Sequence, residues 1–223
     1  MSLAHDFHNN IQARSFQAAV TTALDPALDV MARTGVRLSY GKDEEIYGQD
    51  EPAEFVYQVV HGAVRTCRVM SDGRRQIGDF YGPGDLFGLE TGTDHRYAAE
   101  ALQSSLILVL KRSTLKSACG DFERLIQSTL RRDLERAQEH MLRLGRKTAM
   151  ERVASFLLDL DAKSPGQPVD LPMGRQDMAD YLGLTIETVS RMLSQLQSLY
   201  VVAFSSTRTF RIQNRARLTQ LSE

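Results

Sequence analysis

Glu187 and Arg191 stand four residues apart in GLTIETVSRML, the stretch from Gly183 to Leu193. On a helix that spacing puts both side chains on one face, where opposite charges form a surface ion pair worth about 0.3 kcal/mol. The same two residue types also read base edges in DNA. Arginine bonds guanine O6 and N7 together, and glutamate accepts from cytosine N4. One helical turn apart, they could read the two halves of a single G·C pair. Both readings are open from the pair alone.

The residues around the pair favour the second. In RQDMADYLGLTIETVSRMLSQL, Ala179, Gly183 and Val189 fall at positions 5, 9 and 15 of a helix-turn-helix window. Ala179 is small where the second helix crosses closest, and Gly183 supplies the left-handed residue that ends the first helix. Met178, Leu182, Leu184, Val189, Met192 and Leu193 provide the shared apolar core. Thr185 is the expected N-cap of the second helix, with Thr188 at the capping-box partner position. Glu187, Ser190 and Arg191 then share the outward face, opposite Val189 and Leu193, as candidate base-reading residues. The tail, VVAFSSTRTFRIQN, reads as two short strands around a Ser/Thr/Arg turn, which makes the unit a winged helix. Thr185, Thr188, Arg175 and Arg208 are candidates for contacts with the DNA backbone.

Upstream the pattern changes twice. From about Val36 to Leu110 short runs (VRLSY, FVYQVV, AVRTCRVM, RQIGDFY, YAAEAL, SLILVLK) alternate with glycine-rich punctuation, which predicts a jelly roll or barrel-like sandwich. Asp72-Gly73 is a hairpin signal, because that pair tolerates the positive φ of a type I′ turn. From about Asp121 to Gly145 the chain turns helical and charged. Leu130, Leu134, Ala137, Met141 and Leu144 step by four and three, which makes an a/d seam, with Phe122, Leu125, Ile126 and Thr129 continuing the stripe upstream. Such a helix packs either on its own β domain or on a second copy of itself; a narrow seam between so many charges favours the second. AMERVASFLLDL is an amphipathic helix, and the proline-bearing DAKSPGQPVDLP after it reads as a connector rather than a strand. FQAAVTTAL, near the start, predicts a short helix.

Composition bounds the rest. The chain has 223 residues, two cysteines and five scattered histidines. Cys67 and Cys119 form no CxxC pair, so a four-cysteine zinc or iron–sulfur site within one chain is excluded, and both read as buried thiols. His5, His8, His61, His95 and His140 form no HxH or HExxH pattern, so no metal site is expected and a cupin-type enzyme ranks last. No apolar run approaches a membrane span, and MSLAHDFHNNIQARSF lacks the basic-then-apolar order of a signal peptide. A cytoplasmic protein with no membrane association is expected. Net charge is −1, yet from Leu171 onward six Arg face two Asp and two Glu, an excess that permits DNA binding without demanding it.

Over nearly its whole length the chain resembles the CRP/FNR superfamily of bacterial transcription regulators. LGRKTAMERVASFLL and LPMGRQDMADYLGLTIETVSRMLSQL resemble the FNR-type branch, and especially its FixK-like members. The branch's recognition signature, E-x-x-S-R, falls on Glu187, Ser190 and Arg191. The resemblance implies an α+β chain: arm and cyclic-nucleotide-binding-like β-roll over 1–118, dimerisation helix over 119–146, winged helix-turn-helix over 147–223. It further implies a homodimeric activator, not an enzyme, that acts on double-stranded DNA and RNA polymerase. Its site would be TTGAT-N4-ATCAA-like, in genes of low-oxygen respiration, nitrogen-oxide metabolism or nitrogen fixation. The dimer interface would comprise Leu130, Leu134, Ala137, Met141 and Leu144.

Departures from the family matter as much. The first 66 residues hold no cysteine, unlike the cluster-bearing FNR proteins. Leu89 follows Gly88 where the cyclic-AMP binders carry Glu, and Tyr97 follows Arg96 where they carry Ser or Thr. Neither cyclic AMP nor an iron–sulfur cluster is expected, and no cofactor. Gly174 replaces the cysteine through which some FixK-like proteins respond to oxidation. The alternative is a regulator of the same architecture gated by a cyclic nucleotide or haem.

Overall fold

The computed structural model describes residues 34–115, 121–162 and 165–223. The expected helix in FQAAVTTAL, together with His5, His8 and Cys119, lies outside them.

Eight strands form two four-stranded antiparallel sheets. One has the order β1 (Val36–Tyr40), β8 (Ser105–Lys111), β3 (Phe55–His61), β6 (Leu86–Phe87). The other has the order β2 (Glu45–Tyr47), β7 (Ala98–Ala101), β4 (Val64–Val69), β5 (Arg75–Tyr81). Alternation along the strands sends Tyr47, Tyr57, Val59, Val64, Phe87, Ala99 and Ile107 into the space between the sheets. β2 and β6 are too short to carry a periodic signal and escape a reading of the sequence. The β4–β5 hairpin forms, but through the longer connection Met70–Arg74 rather than a type I′ turn. Gly73 takes φ +82 while Asp72 does not turn left-handed; its carboxylate instead accepts from the Arg74 amide at 3.0 Å.

Each sheet also buries an outer face. A single turn, α1 (Arg112–Leu115), leads to the 26-residue α2 (Asp121–Arg146). Leu125 and Ile126 of α2 pack on Val56, Leu86, Leu108 and Leu110 of the first sheet. Of the two packings the stripe allowed, the first turns of the helix take the one on its own β domain. Farther along, Leu130, Leu134 and Met141 are 40%, 59% and 66% exposed, more than apolar side chains settled in a core.

α3 (Ala149–Asp161) starts at a full capping box. Thr148 accepts from the Glu151 amide, and Glu151 reaches back to the Thr148 amide. The segment after it contains a strand, β9 (Val169–Asp170), which corrects the expectation of a plain connector. Proline at 165 and 168 precedes the paired residues, so the ladder hydrogen bonds are free to form. Next come α4 (Arg175–Leu182), α5 (Ile186–Ser198), β10 (Val202–Phe204), β11 (Thr209–Ile212) and α6 (Arg215–Gln220). The wing is a three-stranded sheet, β10-β11-β9. One apolar core runs from Val153, Phe156 and Leu157 through Met178, Leu182, Val189, Leu196 and Phe210, and on to Cys67 and Ile77 of the β-roll. The winged helix and the second sheet are thus continuous. Among the described residues no helix is long and apolar enough to cross a membrane.

Candidate nucleic-acid interface

The turn between α4 and α5 is built on three residues. Gly183 adopts φ +61, ψ 41 and donates its amide to the Ala179 carbonyl. The Leu184 amide bonds the same carbonyl at 3.0 Å. Thr185 is extended and its hydroxyl accepts from the Thr188 amide at 3.2 Å, so α5 begins with one of its free amides satisfied. Arg152 secures the turn from behind. Its guanidinium donates to the carbonyls of Leu182 (3.0 Å), Leu144 (2.7 Å) and Lys147 (2.9 Å), tying the end of α2 to the turn. No spacing rule points to Arg152, because the groups it joins lie on three different elements.

Val189, Leu193 and Leu196 bury one face of α5, which turns Glu187, Ser190, Arg191 and Ser194 outward. No ion pair joins Glu187 to Arg191 among the described residues. The Glu187 carboxylate folds back instead. Hydrogen bonds from its own amide and from the Thr185 hydroxyl hold its pKa below the usual carboxylate range. The Arg191 side chain makes no hydrogen bond or ion pair with the described residues and is exposed.

The candidate backbone contacts divide. Thr185 and Thr188 share a hydroxyl–hydroxyl contact of 3.2 Å at the start of α5. Arg208 lies exposed at the wing tip, where its amide donates to the Ser206 hydroxyl. Arg175 is drawn inward: its guanidinium carbon stands 5.0 Å from the Phe204 ring centroid, and burial lowers its pKa. Nη1 of Arg175 is buried and has no hydrogen-bond partner among the described residues. It lines a groove of about 380 Å³ between α5 and the wing, with Ser190, Ser194, Gln197, Ser206 and Thr207. The groove's hydroxyls and amide escape a sequence reading because wing and helix meet only in three dimensions.

Of the five seam residues, Leu130, Leu134, Ala137 and Met141 are exposed along α2. Leu144 is partly enclosed within its own chain, with Cδ2 3.3 Å from the position a Gly183 Cβ would take. A cavity of about 820 Å³ lies between α2 and the second sheet, lined among others by Asp79, Asp133, Arg136, His140, Glu90 and Arg96. Burial raises the Asp79 pKa to about 6 and raises that of Asp133, while Arg96 is bound to Glu90 at 3.1 Å. A phosphate diester in this cavity would meet three carboxylates, Asp79, Asp133 and Glu90, and two arginines already engaged, Arg96 with Glu90 and Arg136 at 3.7 Å from Asp79. With Leu89 after Gly88, these residues do not fit a cyclic nucleotide. His95 lies flat on Tyr47 at 3.7 Å, and among the described residues no group of three or more His, Cys, Asp or Glu could hold a metal ion.

Two family models match the chain: a Crp-like helix-turn-helix domain over residues 151–221 and a cyclic nucleotide-binding domain over 37–122. The nitrogen fixation regulation protein FixK of Azorhizobium caulinodans is 45% identical over 201 residues, covering 86% of this chain and 81% of that one. FixK of Rhizobium meliloti is 40% identical over 191 residues, covering 84% and 89%. The solved structure of FixK2 from Bradyrhizobium japonicum superposes with a TM-score of 0.81 at 52% identity, covering 85% of this chain and 98% of that chain.

Proposed function

The chain belongs to the CRP/FNR family of transcription regulators, in its FixK-like branch, and from that premise we propose that it reads a palindromic DNA site as a homodimer. The observation that carries the proposal is the outer face of α5. Glu187, Ser190 and Arg191 are exposed on a well-capped helix, with no side-chain partner among the described residues that DNA would have to displace from Arg191. The acidic residue is the informative one. A carboxylate on a DNA-facing helix is repelled by phosphates, so although the first turn of α5 stabilises it in the free protein, on DNA it is rewarded by a cytosine N4 donor or a similar base edge. Arg191 is assigned to guanine, Ser190 to the adjoining base edge, and Thr185, Thr188, Arg175 and Arg208 to the backbone.

The exposed seam from Leu130 to Met141 supports pairing of α2 with its symmetry mate, which would cover it. The proposed site is the TTGAT-N4-ATCAA-like palindrome, and the proposed role is cytoplasmic activation, through RNA polymerase, of low-oxygen respiration, nitrogen-oxide or nitrogen-fixation genes. Arm and β-roll (1–118), pairing helix (119–146) and reading head (147–223) are the proposed working parts. Fluorescence anisotropy on the palindrome and on scrambled DNA of equal length, at physiological salt and without added ligand, tests this. Tight binding to the palindrome alone is expected; equal affinity for both would refute sequence-specific reading.

A ligand-gated mode of the same fold has one observation in its favour, the cavity beside α2. Calorimetry with cyclic nucleotides, and an absorption spectrum of the protein purified without oxygen, separate it from effector-independent binding.

A further inference from the structure

A cluster of charge that the reading face does not use joins the two halves of the chain. Asp177 sits in the first turn of α4, 9% exposed at its side chain. Both of its oxygens take bonds from the β-roll. Arg65 Nη1, on β4, lies 3.0 Å from Oδ2 and 3.1 Å from Oδ1; Arg75 Nη2, on β5, lies 2.6 Å from Oδ1. Arg75 also donates through Nε to Asp180 Oδ2, one turn along α4, at 2.9 Å. Arg65 is braced behind by Glu100, whose Oε2 accepts from its Nε at 2.8 Å. Gln176 holds the other Asp180 oxygen at 2.7 Å.

Desolvated forks of this kind are directional. Each arginine plane admits its carboxylate in one orientation, so α4 cannot slide or rotate on the sheet without breaking several bonds together. At the far end of α4, Tyr181 stacks on His140 of α2 at 4.1 Å and packs on Phe80 and Phe156 at 5.2 and 5.5 Å. The first helix of the helix-turn-helix is therefore fastened at both ends to elements outside its own domain. The apolar core shared with the β-roll and the Arg152 tie also join the head to the rest, but apolar contact is non-directional and Arg152 grips only the turn, so neither sets the rotation of α4 on the sheet as the forks do.

Tilt matters to a dimer. The two reading helices must meet successive turns of the major groove, about 34 Å apart. One base pair more or less moves a half-site by roughly 3.4 Å and turns it by roughly 35° about the DNA axis. A head that swivels tolerates such a change; a fixed head does not. We propose that Arg65 and Arg75 of the β-roll, with Asp177 and Asp180 of α4, are positioning residues that fix the angle of each head and thereby set the half-site spacing a dimer of this chain accepts. The inference rests on the DNA-reading function proposed above.

The test is binding of the full chain to palindromes with three, four or five central base pairs, for the unaltered protein and for Arg75→Gln, Asp180→Asn and Arg75→Lys. Arg74→Gln is the control: it removes the same charge from an arginine whose one ion pair among the described residues is with Asp72 in the exposed hairpin. The unaltered chain and Arg74→Gln should prefer one spacing by at least ~100-fold, because a misplaced half-site forfeits several base contacts. Arg75→Gln and Asp180→Asn should compress that preference to under ~10-fold, with base choice within each half-site unchanged, since the reading residues are untouched. Arg75→Lys, which keeps one charged contact, should recover part of it. Thermal melts confirm that each variant is folded, and Asp180→Asn, at the margin of the cluster, serves if Arg75→Gln is not. Folded variants that retain the parent's spacing preference would overturn the inference alone. An unaltered chain that does not distinguish palindrome from scrambled DNA would overturn the proposed function, and this inference with it.

Discussion

Gly183→Ala offers the sharpest numerical test of the turn that aims the reading helix. At φ +61 an alanine Cβ meets the carbonyl it would normally avoid, which costs about 1–2 kcal/mol. The unfolded chain works the other way: alanine has fewer states to lose, which returns about 0.4–1 kcal/mol. The added methyl also stands 3.3 Å from Leu144 Cδ2 and 3.4 Å from Arg152 Nη1, close enough that both must give slightly. These terms leave a loss between about 0 and 1.6 kcal/mol before the two contacts add to it, so the net loss is about 1 kcal/mol, a melting shift of roughly 2–4 °C for a chain of this size. Urea unfolding followed by circular dichroism, at one fixed protein concentration because a dimer's stability depends on it, reads this as a lower midpoint at constant slope. Gly183→Asn should lose less, since asparagine tolerates the left-handed region, and Gly183→Val should lose more. Gly174, at the other end of α4, has φ −82 and nothing within 4 Å of its would-be Cβ, so Gly174→Ala should change stability by less than about 0.5 kcal/mol. An alanine at 183 as stable as glycine, or asparagine worse than alanine, would refute the reasoning.

Other perturbations probe the reading face, the seam and the buried ionisable groups. Arg191→Ala should cost about 1–3 kcal/mol on the palindrome and relax choice at one base pair, whereas Glu187→Ala should broaden base preference and leave non-specific binding intact; a uniform loss on every sequence, measured by anisotropy, would make both mere backbone or fold contacts. Leu134→Glu should shift the protein from dimer to monomer in sedimentation velocity, because a charge would lie in the middle of the seam; an unchanged mass would remove α2 from the interface. His140, its pKa lowered to about 4 by burial and then by Arg143, is held neutral, so its stabilising effect is full above its unfolded pKa of about 6.5 and is lost as pH falls through 4. Asp79, raised to about 6, acts oppositely: its contribution is full below the unfolded value of 3.8 and is lost as pH rises through 6. His140→Phe, which keeps an aromatic ring on Tyr181, should therefore flatten the acid side of the stability profile, and Asp79→Asn the neutral side; profiles parallel to the parent would show that neither group titrates as described. Cys67, pushed up to about 11 by burial and by Glu100, should resist thiol reagents at pH 8 until the protein unfolds, as peptide mapping would show.

Much of the fold was legible because its signals are local. The RQIGDFY and SLILVLK runs became β5 and β8 with their ends unmoved, since glycines at 73 and 82 bound the first and a continuous apolar run between polar residues marks the second, without reference to their neighbours. The cap at Thr185 and the turn at Gly183 were legible for the same reason, as each is set by residues within a few positions. Strands β2, β6 and β9 were not. They are two or three residues long and exist only because a longer partner offers them a ladder.

The exposed outer face of α5 and the exposed stripe of α2 are likewise properties of one helix each, and helical periodicity alone orders their residues. Where those helices point is another matter. The Arg65–Asp177 bond spans 112 positions and Arg75–Asp180 spans 105, and nothing in either stretch of sequence marks the other. Whether Glu187 pairs with Arg191 was also beyond the spacing, because an exposed i,i+4 pair is worth too little to outweigh a nearby backbone amide and the Thr185 hydroxyl. Residue order was enough to specify which side chains share a surface. The angle of that surface to the rest of the molecule depends on charge and ring contacts between distant segments, and those come into being only when the chain has closed on itself.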